Sequence, residues 1–210
     1  MNVITINGSP RPNGNIATAL GWMVEELERE GISVETVQLG DKAIRGCMAC
    51  GRCNTQEGKP CALPDDGINN LILALQKADG VIFGSPTYFG GMAGTLKSAM
   101  DRIFYAGRAS GAYQNKVGAA AVSVRRWGGV ETYNQIVTYY RASGIVIAPS
   151  QAWVIGYGNA KGEIAQDSEG QQAHRLQAKG MAWLLKMMDA TKNSIAPPCA
   201  EKRHRMNFIR

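Results

Sequence analysis

Four thiols stand within fifteen residues: Cys47, Cys50, Cys53 and Cys61. Their spacing is Cys-x2-Cys-x2-Cys-x7-Cys. Thiolates are soft ligands, so such a run reads as a metal or redox site. Structural zinc sites pair two close ligands with two distant ones across a longer loop. Here three thiols come from one tight turn and the fourth follows after a short spacer, as in runs that wrap iron–sulfur clusters. Gly46, Gly51 and Gly58 leave the backbone free to curl, and Pro60 stiffens the approach to Cys61. The bacterial ferredoxin run closes with a shorter spacer and a proline after its last cysteine, so the pattern differs. Zinc, a disulfide and free thiols stay open as readings of the same residues. Cys199 stands apart between Pro198 and Ala200 and reads as an incidental thiol.

A second segment with chemical potential is Gly8-Ser9-Pro10-Arg11-Pro12-Asn13-Gly14-Asn15. It combines small residues, a hydroxyl, amides and one arginine just before a helical pattern. Exposed amides and the helix dipole favour an anion there. Ser9 and Asn15 can donate to phosphate oxygens and Arg11 can add a charged fork. No Gly-Lys-[Ser/Thr] and no Gly-x-Gly-x-x-Gly is present, so neither standard nucleotide fingerprint applies. An ordinary Gly/Pro turn with Asn15 as N-cap is the competing reading.

These residues need elements to hold them. Residues 2–7 are a β-branched run, and a helix from Asn15 follows, with Ile16, Leu20, Met23, Val24 and Leu27 at helical spacing. Glu25, Glu26, Glu28 and Arg29 take its other face, and Gly31 suits its C-terminus. Residues 33–39 alternate as a strand, 40–66 form a loop, and 68–77 are helical. Asp65 and Asp66 suit the start of that helix as cap and first-turn charges. Residues 80–84 are a buried strand stopped by Ser85-Pro86, and 91–104 continue as helix. Then come a strand at 117–124, a loop at 125–129, a helix at 130–143 and a fifth strand at 144–148. Residues 149–166 carry no pattern. A last helix covers 167–190, with Leu176, Met181, Leu184, Leu185 and Met188 inward and His174 in solvent.

Alternating β and α with apolar strands predicts an α/β fold. The expected form is a flavodoxin-like doubly wound parallel sheet of five strands, order 2-1-3-4-5, with helices on both faces. Ligands of such sheets sit at the carboxyl ends of the strands. That rule gathers three loops, 8–15, 85–92 and 123–129, into one site.

Composition narrows the function classes. The chain is 45% hydrophobic and 19% charged, which is globular rather than disordered. No apolar run reaches the roughly 18 residues of a membrane span. Met1 to Ile6 show no basic leader or cleavage pattern. The expectation is a cytoplasmic protein without membrane association, in which clustered cysteines are not a disulfide framework. The net charge is +6, half of it on residues 199–210, where Lys202, Arg203, Arg205 and Arg210 face only Glu201. Such a tail can meet an acidic partner, but more often is solvated or packs on a neighbouring subunit. The charge forms no patterned surface, so nucleic acid is not expected.

At this point two motifs carry a resemblance. Gly8-Ser9-Pro10-Arg11-x-x-Gly14-Asn15 resembles the phosphate loop of the NAD(P)H-dependent FMN reductase and iron–sulfur flavoprotein superfamily. Gly84-Ser85-Pro86-Thr87-Tyr88-Phe89-Gly90, then Leu96-Lys97-x-x-x-Asp101-Arg102, is similar to a second block of that family. Trp127-Gly128-Gly129-x-Glu131-Thr132 matches less firmly, and the likeness spans residues 3 to about 148. The cysteine run is similar to the compact motif of the iron–sulfur flavoproteins, which sits in the same loop.

The resemblance implies FMN. Its phosphate would lie on Ser9, Arg11, Asn15 and the backbone of Ile16, where the family often has Ser or Thr. The isoalloxazine would lie along Pro86, Thr87, Tyr88, Phe89 and Gly90, with Ser123, Arg125, Gly128 and Gly129 at its other edge. Arg125 or Arg126, if turned inward, would favour the reduced flavin by charge; as surface arginines they would not. Cys47, Cys50, Cys53 and Cys61 would hold a [4Fe-4S] cluster. Residues 1–190 would form one FMN-binding domain with a cysteine loop at 46–62, and 191–210 a basic tail. The expected function is electron transfer from a ferredoxin-like donor through the cluster and FMN to a small acceptor such as oxygen, peroxide or a quinone. The alternative is an NAD(P)H-dependent FMN or quinone oxidoreductase without a cluster. A third reading is a zinc- or thiol-bearing binding module on the same fold. Because the flavin carries the chemistry, no catalytic side chain is assigned. The family relation also implies a homodimer or homotetramer.

Overall fold

A computed structural model describes residues 1–54, 61–63, 66–109 and 111–198. Strands β1 (Asn2–Asn7), β2 (Ser33–Gln38), β3 (Gly80–Tyr88), β5 (Val117–Val124) and β6 (Val146–Ile147) form a parallel sheet in the order β2-β1-β3-β5-β6. Val3 pairs with Val34 and with Gly80, Gly80 pairs with Val117, and Val117 pairs with Val146. Two short strands join this frame, for seven in all rather than the expected five. β4 (Gly91–Met92) turns back antiparallel on β3, and β7 (Gly156–Tyr157) runs parallel to the end of β5.

The period of two in the strands sorts the core into two halves. Ile4, Ile6, Val81, Phe83, Ala120 and Val122 face one way, toward α2 (Ile68–Lys77), α3 (Gly94–Ala109) and α4 (Gly129–Ser143). Val3, Ile82, Val117, Ala119 and Ala121 face the other way, toward α1 (Asn15–Arg29) and α5 (Ser168–Thr191). Both faces are covered, which is why the strands read as apolar runs. The doubly wound architecture is therefore the expected one.

Several local expectations change. β3 does not stop at Pro86 but continues to Tyr88. The β1 ladder ends at Gly84, so beyond it one side of β3 is an edge where a missing N–H breaks no pairing. Gly91 and Met92 are strand, not helix, because Tyr88 pairs with Gly91 across a two-residue turn. Val24 is only half-buried, whereas Glu26 is buried, because α5 lies along that side of α1 and Arg175 reaches it at 2.5 Å. Leu176, Leu184 and Met188 are half-buried, and His174 is fully buried rather than solvated. Among the described residues, no helix is long and apolar enough to cross a membrane.

Candidate functional site

The first loop is fixed from several sides. The Gly8 amide donates to the Gly84 carbonyl at 2.8 Å, joining the ends of β1 and β3. Ser9 N–H donates to Asn7 Oδ1 at 3.0 Å, and Gln38 Nε2 donates to the Ser9 carbonyl at 2.8 Å. Gly40 lies against this backbone so closely that a Cβ there would stand 2.3 Å from Ser9. Ser9 is buried and its Oγ accepts from Arg11 N–H at 3.1 Å, which leaves its own proton free to donate.

The loop then delivers the start of α1. Gly14 precedes the helix, offers no side-chain cap, and no acidic residue lies in the first turn. The first amides of α1 therefore have no acceptor within the helix or from a cap. The Arg11 side chain is exposed beside them. Ile16 is buried in the core, so only its backbone faces a ligand. This is the chemistry of an anion cradle: free amides, a dipole, a hydroxyl and a guanidinium.

The second loop is a hairpin tip. Phe89 and Gly90 both have positive φ, +49° and +78°, as a two-residue type I′ turn requires. A phenylalanine there is strained, and its ring is fully exposed. Tyr88 beside it is half-exposed. Thr87 Oγ1 meets Thr132 Oγ1 at 3.0 Å, and Gln135 Oε1 accepts from Met92 N–H at 2.9 Å, so α4 holds the hairpin in place.

The third loop touches the second. Gly128 has φ +87°, and a Cβ on it would stand 2.7 Å from Gly90 Cα. The Trp127 ring packs over Gly90 and is otherwise exposed. Ser123 is buried at the end of β5, while Arg125 and Arg126 are exposed.

Residues 149–166, without a readable pattern, complete the rim. β7 pairs Gly156 with Ser123, and the Gly158 amide donates to the Val124 carbonyl at 3.0 Å. The chain then reaches Asn15, whose Oδ1 accepts from Ile164 N–H at 3.5 Å. Asn15 is thus held by this segment rather than acting as the N-cap. Tyr157 and Trp153 stay exposed on it. The only sequence signal was a cluster of aromatics and glycines in an otherwise unpatterned stretch. The structure therefore brings the three expected loops together and adds a fourth.

The cysteines form a separate place along α3. Cys47, Cys50, Cys53 and Cys61 line one small cavity with Arg102, Tyr105 and Ala106 of that helix. Cys47 and Cys50 are exposed, Cys53 and Cys61 half-buried, and all four are unpaired thiols. Ala49 and Gly51 have positive φ, +54° and +72°, which curls the chain between successive thiols. Ala49 N–H donates to Cys47 Sγ at 3.4 Å. Burial pushes the Cys53 thiol up, and the other three thiols push it further. Among the described residues no three cysteine, histidine or acidic side chains converge on a point that would hold a metal ion. The donor set, four thiols around one cavity, suits an iron–sulfur cluster. Gly58, Pro60, Asp65, Cys199 and the basic tail lie outside the described residues.

The second sequence block serves both places. Leu96 packs under Gly8. Lys97 pairs with Asp101 at 2.7 Å, Asp101 accepts from Tyr139 of α4, and Arg102 binds Asp66. α3 thus begins at the hairpin and forms the wall of the cysteine cavity about 12 Å further along its axis, at 1.5 Å per residue.

Residues 1–160 match the family model described as NADPH-dependent FMN reductase. An iron–sulfur flavoprotein of Methanocaldococcus jannaschii is 35% identical over 195 residues, covering 90% of this chain and 99% of the relative. The solved structure of RosB with bound 8-demethyl-8-formylriboflavin-5′-phosphate superposes with a TM-score of 0.71 at 14% identity, covering 100% of this chain and 94% of RosB. A flavodoxin from the domain Archaea gives 0.57 at 18% identity, covering 89% and 99%. At those identities the two structures speak for the fold alone. Sequence family and flavodoxin-like fold agree: the chain belongs to the NADPH-dependent FMN reductase / iron–sulfur flavoprotein family and is a flavin-dependent oxidoreductase.

Proposed function

We propose that the chain binds FMN across the carboxyl ends of β1, β3 and β5 and passes electrons between it and a [4Fe-4S] cluster held by Cys47, Cys50, Cys53 and Cys61. The observation that carries the flavin half is the uncapped start of α1, with free amides beside Ser9 and Arg11. These groups bind a doubly charged phosphate. Asn15, pinned by Ile164, adds its amide at the same rim. Pro86, Thr87, Tyr88, Phe89 and Gly90 offer a flat edge of backbone and rings for an aromatic ligand, and Ser123, Gly128 and Gly129 bound the other side. Arg125, although exposed, is near enough in sequence to Gly128 to meet the ligand's rim.

The four thiols supply the donors that iron–sulfur chemistry needs. Bound FMN supplies hydride or single-electron chemistry, and the protein's part is to bind it, orient it and leave one face open to a small acceptor. The donor in this reading is a ferredoxin-like protein. The exposed rim aromatics suit contact with a second copy of the chain, as a homodimer or homotetramer, and reduced thiols suit the cytoplasm.

A second reading has its own support. The family model matched over residues 1–160 is described as NADPH-dependent FMN reductase. NAD(P)H would then reduce the flavin directly, with no cluster.

Anaerobic purification, an absorption spectrum and an iron assay separate the two. Flavin bands over the broad absorption of an iron–sulfur cluster, with about four irons per chain, are expected. Cys50→Ser should lose the iron and keep FMN. Flavin without iron in the wild-type protein, bleached by NAD(P)H under argon, decides for the second reading.

A further inference from the structure

α3 turns one charged side chain fully inward. The Arg102 side chain has no exposed surface. Burying a guanidinium is costly unless it is paired. Asp66 supplies a forked partner: Nη1 donates to Oδ2, and Nη2 donates to Oδ1 at 3.0 Å. The Arg45 carbonyl also accepts from Nη1, at 3.2 Å. These contacts engage the two outer nitrogens. The third, Nε, is buried and has no hydrogen-bond partner.

The same side chain forms part of the wall of the cavity that the four cysteines line. Asp66 is held below the usual carboxylate range: burial alone would raise it, and the Arg102 hydrogen bond more than offsets that. The result is a fixed, buried positive charge in the wall of the cavity that the four thiols line, with one donor unspent.

We propose that Arg102, fixed by Asp66, stabilises the thiolate sulfurs of the cysteine site through its charge and its Nε–H, so that the bound cluster is held more tightly and is easier to reduce. The inference rests on the cluster reading above. One-electron reduction adds negative charge to the cluster and moves no proton, so a fixed cation beside the sulfurs favours the reduced form. Lysine cannot substitute fully, since it lacks the planar fork that satisfies Asp66 and leaves Nε–H over.

The test compares the wild-type protein with Asp66→Asn/Arg102→Gln, which removes the pair without stranding either charge. Both are reconstituted anaerobically with iron and sulfide. FMN per chain, iron retention against a chelator and the cluster midpoint potential are measured. The double variant should keep FMN, show a more negative midpoint and hold iron about tenfold less well. Arg102→Lys should fall between the two. A folded double variant with wild-type midpoint and iron retention overturns the role of Arg102 and leaves the cluster reading intact. If circular dichroism shows that the double variant does not fold, an Arg102→Lys protein at the wild-type midpoint overturns it. Wild-type protein that takes up no iron overturns the cluster reading, and the role of Arg102 with it.

Discussion

His174 shows how far a side chain's surroundings can depart from those of its sequence neighbours. It follows Gln171 and Gln172 and precedes Arg175, which suggests a solvated face. Instead α5 presses it against α1, with the Trp22 ring edge-on at 5.9 Å. Nδ1 lies 2.6 Å from the Gly170 carbonyl, and Nε2 is buried without a partner. Burial pushes the His174 pKa down to about 4. The unfolded chain, near the ordinary value of about 6.5, takes up its proton first. Stability from the neutral ring is therefore complete above about pH 6.5 and is lost as pH falls toward 4. Unfolding free energy should fall by up to about 1.4 kcal/mol per pH unit in that window. His174→Gln should flatten the slope in denaturant titrations; an unchanged slope would place the effect on another group. Glu26 makes the same point: it sits among glutamates in sequence and is buried between Arg29 and Arg175 in space. Residue types name possible chemistry, but exposure depends on which helix lies opposite.

The elements explain why the site is built from turns. β3 overruns Pro86 to make a hairpin with β4, and α4 begins at Gly128 against the tip of that hairpin. Gly128 is required twice, for φ +87° and for the 2.7 Å gap to Gly90 Cα. Gly128→Ala should cost about 1–3 kcal/mol from backbone strain, and more if the hairpin is displaced. It should also weaken FMN binding, measured by flavin fluorescence titration. Equal FMN affinity in a destabilised variant would separate the hairpin from the ligand. Helices α1 and α5 were legible from the apolar periodicity along their chains. The hairpin was not, since Gly91 and Met92 suit a helix start as well as a strand, and only pairing with Thr87 and Tyr88 chooses.

At the scale of the molecule, one ligand would link four loops that are far apart in sequence. A ligand that binds the folded state alone stabilises it in proportion to ln(1 + [L]/Kd), about 2.7 kcal/mol at a hundredfold excess over Kd. Excess FMN should therefore raise the melting temperature of flavin-free protein. Arg11→Ala should cut that rise clearly while leaving the melting temperature without FMN nearly unchanged, because the Arg11 side chain is exposed. An undiminished rise would remove the phosphate from this loop. By itself the sequence determined the alternation of strand and helix, the two-sided sheet, the three glycine-rich loops and the cysteine run. All of these depend on local periodicity and short spacings. Only the tertiary structure decided that residues 149–166 close the rim, that Arg125 and Arg126 are exposed, and that Arg102 lines the cavity of the thiols. Those outcomes depend on contacts between segments far apart along the chain, set by how α3, α5 and β7 pack, and no local pattern encodes them.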